Sequence, residues 1–149
     1  MRIAQLSLKG RALRLLGGRE HSRAELERKL ASHEEEPGQL QRVLDDLQAK
    51  DFISDARVVE SVLHRRAGRL GSGRIRQELQ GKGLDAELVS DAMRGLRVTE
   101  HERAKAVWQR KFGEPPADAA ARAKQARFLA ARGFSGEVIQ RVLDGGRED

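Results

Sequence analysis

Between positions 65 and 82 stand six basic residues, Arg65, Arg66, Arg69, Arg74, Arg76 and Lys82, against a single acid, Glu78. Four more, Arg122, Lys124, Arg127 and Arg132, occupy 119–132 with no acid among them, and Arg110 and Lys111 lie just before. Guanidinium and ammonium groups at this density neutralise phosphates or line a groove for an acidic protein. These twelve are the candidate binding residues, expected to form a basic stripe along one side of the fold. The alternative for the same residues is a solvated helix face.

Other chemistries find little support. His21, His33, His64 and His101 are scattered, without the paired-histidine spacing of a zinc site. His33 beside Glu34, Glu35 and Glu36 reads as a charged loop. Gly71-Ser72-Gly73 lacks the third glycine of a dinucleotide loop and the Gly-Lys-Ser/Thr of a phosphate-binding loop, so it reads as a helix start. Trp108 and Phe112 could stack on bases, but their helical spacing with Ala104 puts them in a core. The absence of cysteine excludes disulfides and thiolate metal sites. No catalytic residue, metal or cofactor is expected, and the chain reads as a binding protein rather than an enzyme.

The whole chain is mildly basic: 29 Lys and Arg against 23 Asp and Glu give a net charge of +6 over 149 residues. That balance points to nucleic acid, an anionic surface or an acidic protein as partner. Acids concentrate elsewhere, at Glu34 to Glu36 and at Asp45, Asp46, Asp51 and Asp55. No run approaches the ~20 apolar residues of a membrane span, and the first nine residues lack the apolar stretch of a signal peptide. A cytoplasmic protein without membrane contact is the expectation.

The elements that must position these residues follow from a repeat. Leu79, Gly83, Leu84, Leu88, Val89, Ala92 and Met93 are matched 50 positions later by Leu129, Gly133, Phe134, Val138, Ile139, Val142 and Leu143. Shifting the first set back by 49 gives Leu30, Gln39, Leu40, Val43 and Leu44, a third and poorer copy. Such a period implies an array whose units bury their apolar faces against their neighbours. With 3% aromatic residues and an Ala/Leu/Arg/Glu-rich composition, the units are helical. Helices are expected near 7–16, 22–32, 38–50, 54–69, 72–82, 85–96, 99–112, 117–132 and 135–144. The first helix of each unit carries an apolar triplet at i, i+3, i+4: Ala12, Leu15, Leu16; Val59, Val62, Leu63; Ala104, Val107, Trp108.

Ser22-Arg23-Ala24-Glu25 and Thr99-Glu100-His101-Glu102 both fit the capping box, and Ser72 and Asp85 read as N-caps of two further helices. Lys50 to Ile53 and Leu96 to Val98 are expected as short linkers between stacked units, and Gly145 to Asp149 as a frayed tail. The fold class is therefore all-α: an elongated, curved array of three tandem three-helix, helix-turn-helix-like repeats spanning 1–51, 52–97 and 98–149. The third helices begin Asp85-Ala86-Glu87 and Ser135-Gly136-Glu137, whose acids would repel phosphates, so base reading in the major groove is not expected.

Several of these segments resemble the RecX family. Ser22-Arg23-Ala24-Glu25-Leu26-Glu27-Arg28-Lys29-Leu30 is similar to that family's opening motif, and Lys124 to Phe134 (Lys124-Gln125-Ala126-Arg127-Phe128-Leu129-Ala130-Ala131-Arg132-Gly133-Phe134) to its last-repeat signature. Phe52 to Arg57 sits at its apolar-Asp-Asp junction, and Gly73-Arg74-Ile75 with Leu79, Lys82 and Gly83 resembles its middle repeat. Ser54 replaces the first Asp of the junction, Glu34-Glu35 the Gly-apolar turn of the first repeat, and Gly146 stands where Leu47 and Leu96 close the other units. The resemblance implies a bacterial regulator of the RecA recombinase that lies in the helical groove of the RecA–DNA filament. It implies inhibition of strand exchange, ATP hydrolysis and co-protease activity, and hence an influence on recombination, DNA repair and the SOS response. The expected partners are the RecA filament and the single- or double-stranded DNA within it, met by a monomer. The alternative is a nucleic-acid-binding helical repeat protein with no recombinase partner.

Overall fold

A computed structural model describes residues 6–145. Within them the chain forms eight α-helices: α1 (Leu8–Gly18), α2 (Arg23–Leu30), α3 (Gln39–Ala49), α4 (Asp55–Arg66), α5 (Ser72–Gly81), α6 (Ala86–Lys111), α7 (Ala119–Ala131) and α8 (Gly136–Leu143), with a short 3-10 turn over Ala31–His33. No strand occurs among the described residues. The expected fraying from Gly146 onward, and the departure at Gly146 itself, lie outside them.

Helix starts are set by short polar side chains. Ser22 and Glu25 form the complete capping box on α2. Ser7, Ser54, Asp118 and Ser135 each accept a backbone N–H three residues on, starting α1, α4, α7 and α8. Each such cap stabilises its helix by about 1 kcal/mol. Two expected caps behave otherwise. Gly71, not Ser72, is the N-cap of α5, and Asp85 occupies the N-cap of α6 without a capping bond.

The largest departure from expectation is α6. Helices expected at 85–96 and 99–112, with a linker between, are one helix of 26 residues. Val89, Ala92, Met93, Leu96, Glu100, Ala104, Val107 and Trp108 are its buried positions, spaced by one, three or four, so a single stripe keeps its phase across the junction. Residues 96–112 contain neither Gly nor Pro to end the helix. Thr99 therefore caps nothing; its hydroxyl lies 3.4 Å from the Leu96 carbonyl inside the helix. Val98, opposite the stripe, is 83% exposed.

The repeat encodes packing in a more local way than a stacked array implies. Each unit closes its own apolar core rather than burying its face against its neighbours. Leu8, Ala12, Leu26, Leu30, Leu40, Leu44, Leu47 and Ile53 form the first. Val58, Val59, Val62, Ile75, Leu79, Leu84, Val89, Ala92, Met93 and Leu96 form the second. Ala104, Val107, Trp108, Leu129, Phe134, Ile139, Val142 and Leu143 form the third. Three small cores in a row make an elongated molecule.

The units meet through turns docked on helix starts. The turn between α5 and α6 rests on the start of α2. Ser22 Oγ donates to the Lys82 carbonyl at 2.5 Å and Arg28 to the Gly81 carbonyl at 3.2 Å. The turn between α7 and α8 rests on the start of α5, where Gly71 N–H donates to the Arg132 carbonyl at 2.7 Å and Gly73 N–H to the Gly133 carbonyl at 3.1 Å. A Cβ on Gly71 would lie 2.4 Å from the Gly133 carbonyl carbon, and Gly133 itself has φ +96 with no room for a side chain beside Arg74. Gly83, at φ +66, stands in the same way against Ala24.

Two glycine substitutions test this account by chemical denaturation. Gly71→Ala should cost about 3 kcal/mol or more by forcing backbone apart at the junction. Gly95→Ala, mid-α6 with nothing within 4 Å, should stabilise by about 0.5–1 kcal/mol; a loss there would mean that the helix is broken near 95–99.

Candidate functional site

The structure sorts the twelve basic residues into groups with different work. Arg69, Arg110, Lys111 and Arg132 gather where α4, α6 and α7 end, around Phe128 and Val107, and line a depression of about 250 Å³. Phe128 is its centre. Its ring meets Phe112 edge to face at 5.4 Å, the Arg132 guanidinium lies 4.6 Å from its centroid and the Lys111 ammonium 5.4 Å. Such cation–π contacts are worth about 0.5–1 kcal/mol each at an exposed site and leave the charge intact. Arg110 donates to the Gly68 carbonyl at 2.8 Å, which orients but does not neutralise it. None of the four is ion-paired among the described residues, whereas Arg65 and Arg66 close by both reach Glu78, at 3.7 and 3.0 Å. Cations also favour helix C-termini; here four surround one open depression that no carboxylate lines among the described residues.

The remaining candidates are dispersed. Arg74 donates to the Ala131 carbonyl at 2.8 Å and is part of the unit junction. Lys82 turns toward the first unit, 3.7 Å from Glu25, with its side chain 15% exposed. Arg122 pairs with Asp144 at 2.9 Å. Arg76 faces a separate depression of about 220 Å³ with Arg97 and Met93. Lys124 and Arg127 are exposed on α7, Arg127 at the rim of an apolar cleft.

Sequence reasoning missed Arg97, because a linker was expected there, and missed the role of Phe128, whose ring organises the cations. It also missed Arg103 and Glu100 as positioning residues. Arg103 donates to the Ala67 and Leu70 carbonyls at 2.9 and 2.8 Å, closing the end of α4, and to Glu100 at 2.5 Å. Glu100, 4% exposed, accepts from Ser72 N–H at 3.0 Å and its hydroxyl at 3.2 Å, so a carboxylate from α6 caps α5. A polar residue on an apolar stripe was the available signal. Trp108 is core: its indole N–H donates to buried Gln125 at 2.8 Å.

The junction of units one and two carries the strongest electrostatics. Burial of Glu25 works against its charge. Bonds from Arg19 (2.7 Å) and the Ser22 N–H (3.0 Å), with Lys82 nearby, outweigh that and hold its carboxyl at about 2. His21, buried beside it, is pushed below its ordinary value by burial and by Arg19 and Lys29; Nδ1 faces the Arg19 carbonyl at 3.0 Å and Nε2 the Lys29 ammonium at 3.1 Å. It is a structural histidine. No three His, Asp or Glu side chains converge as metal ligands, and no helix is long and apolar enough to cross a membrane, among the described residues.

These features define an elongated all-α protein of three three-helix units with a cationic surface at its second junction that is not ion-paired among the described residues. The descriptions of RecX, first, second and third three-helix domain, match residues 9–47, 54–93 and 99–143 in that order. The chain is 60% identical over 139 residues to regulatory protein RecX of Leptothrix cholodnii, covering 93% of this chain and 88% of that one. It is 51% identical over 140 residues to regulatory protein RecX of Ralstonia nicotianae, covering 94% and 88%. Its fold is that of a solved RecX from Lactobacillus salivarius, with a TM-score of 0.77 at 22% identity over 93% of both chains. The chain belongs to the RecX family.

The Glu25 site has a pH consequence. A carboxyl near 2 when folded and near 4.5 when unfolded contributes stability that is complete above about pH 4.5 and is lost as pH falls toward 2. The contribution is about 3 kcal/mol at most. Urea unfolding at pH 6, 4 and 3 should show the loss, and Glu25→Gln should be less stable at pH 6 with a shallower decline.

Proposed function

We propose that this protein is a non-enzymatic regulator of the RecA recombinase that binds the RecA–DNA filament in its helical groove. It inhibits recombinase, ATPase and co-protease activities and so modulates recombination, DNA repair and the SOS response in the cytoplasm. Family membership supports the partner. The observation that carries the binding mode is the group Arg69, Arg110, Lys111 and Arg132 around Phe128, four cations that no carboxylate joins among the described residues. Phosphates of filament DNA or an acidic groove of the filament protein suit that depression equally in charge. A monomer built as a row of three units can touch more than one filament subunit, and linked weak contacts gain avidity. No chemistry is asked of the protein: occupying the groove suffices to limit filament growth or destabilise it.

RecA ATPase on single-stranded DNA tests the reading. Added protein should lower the rate, and an unchanged rate would overturn the regulator role. Arg69→Glu with Lys111→Glu, both exposed and neither among the hydrogen bonds that join units two and three, should weaken filament binding about tenfold or more while helicity is kept. Binding to naked DNA should fall steeply with salt, whereas filament binding should retain a salt-resistant part. Equal affinity and equal salt slope for naked DNA and filament would favour the alternative, a nucleic-acid-binding repeat protein without a recombinase partner.

A further inference from the structure

Two of the three second helices receive the next unit on their N-terminal half. The turn at Lys82 and Gly83 rests on Ser22 and Ala24 of α2, and the turn at Arg132 and Gly133 rests on Gly71, Gly73 and Arg74 of α5. The equivalent stretch of α7, 50 positions on, is 121–124, and no described unit packs on it. Beside it α7 and α8 leave a cleft of about 530 Å³, walled by Ala126, Ala130, Ile139 and Leu143 with Arg122 and Arg127 at the rim. One difference between repeats opens it. Ala126 stands where unit two has Arg76, which borders the same depression as Met93, the counterpart of Leu143. A second depression, of about 460 Å³ beneath Trp108, Pro115, Pro116 and Val142, shares Arg122 and Leu143 with the first. The Arg122–Asp144 pair lies between them, with both side chains about 40% exposed (38% and 41%).

We propose that this α7–α8 cleft is a docking site for an acidic, amphipathic segment of a protein partner. The partner's apolar side chains fill the space over Ala126 and Ala130, and one of its carboxylates replaces Asp144 on Arg122. Three observations select that occupant. The cleft continues a surface that the molecule already uses twice for docking a neighbouring unit. At the second of those junctions the arriving unit brings a carboxylate, Glu100, to the start of the receiving helix. Arg122 and Arg127 are the charged residues lining the cleft, with no acid among its lining residues, and apolar walls suit protein side chains better than a phosphate backbone. An exposed ion pair such as Arg122–Asp144 is weak enough to exchange partners. The site lies apart from the Phe128 depression and does not depend on the filament reading.

The probe is a fluorescein-labelled helical peptide of about twelve residues with Leu at i, i+3, i+4 and i+7 and Glu elsewhere, titrated into the full chain by anisotropy. Wild type should bind it, and a version with Lys for Glu should not. Asp144→Asn, by releasing Arg122, should tighten binding about threefold. Arg122→Glu and Ala130→Glu, at exposed or half-exposed positions, should weaken it roughly tenfold or more, with circular dichroism confirming that both remain folded. The increase in Asp144→Asn is a readout that misfolding cannot imitate. No binding by wild type, or equal binding by Arg122→Glu or by the lysine peptide, would overturn the proposal. Displacement of the peptide by an oligothymidine at similar concentration would overturn it in favour of nucleic acid. Concentration-dependent dimers seen by light scattering and lost in Arg122→Glu would overturn it in favour of a second copy of this chain.

Discussion

The geometry of this protein depends on the close approach of one backbone turn to the start of the preceding unit's helix. At the second junction that approach is so near that any side chain on Gly71 would overlap the peptide at Gly133. The same contact satisfies donors that a helix start leaves without intrahelical partners: Gly71 and Gly73 give their N–H groups to the incoming turn, and Ser72 gives its own to Glu100. Docking and capping are thus one event. A unit set down in the wrong place would leave those donors unpaired, at a cost of about 1–3 kcal/mol for each one buried.

The two junctions are built from different materials. Units one and two meet through side chains: Ser22 on Lys82, Lys82 near Glu25, Arg57 on Glu20 at 2.9 Å, and Asp55 accepting from the Arg23 N–H at 3.3 Å. Units two and three meet through backbone hydrogen bonds and share α6, a single helix that contributes to both cores. Bending there would break the helix itself. The Phe128 depression sits on this stiffer junction, drawing Arg69 from α4's end, Arg110 and Lys111 from α6 and Arg132 from α7. The backbone positions of its four cations are therefore set by packed elements and the turns that join them.

Much of this was legible in the residues. The paired positions from Leu79 to Met93 and from Leu129 to Leu143 are core or packed against it in both units, apart from the turn glycines. The Ser22 capping box forms as its spacing indicates. Legibility failed where a residue's local signal was outweighed by a distant partner. Thr99-Glu100 reads as a helix start, yet the stripe from Leu96 to Ala104 runs on unbroken and Glu100 is buried because Ser72 and Arg103 meet it. Ser72 reads as a cap, yet its N–H is taken by that glutamate. Of the twelve basic residues, which appear equivalent along the chain, Arg65, Arg66, Lys82 and Arg122 meet carboxylates inside the molecule, and Arg74 and Arg110 meet backbone carbonyls.

By itself the sequence determined the helical class, the three units, the apolar positions of each and the excess of positive charge. All of these are properties of period and composition, written along one dimension. The tertiary structure decided that each unit closes its own core, that two helices fuse into α6, and which cations meet no carboxylate among the described residues. Long basic side chains reach several ångströms in any direction, and their partners lie dozens of positions away, as Arg74 and Ala131 do. Only the docking of one unit on the next brings such groups together, and that docking rests on the space left at two glycines.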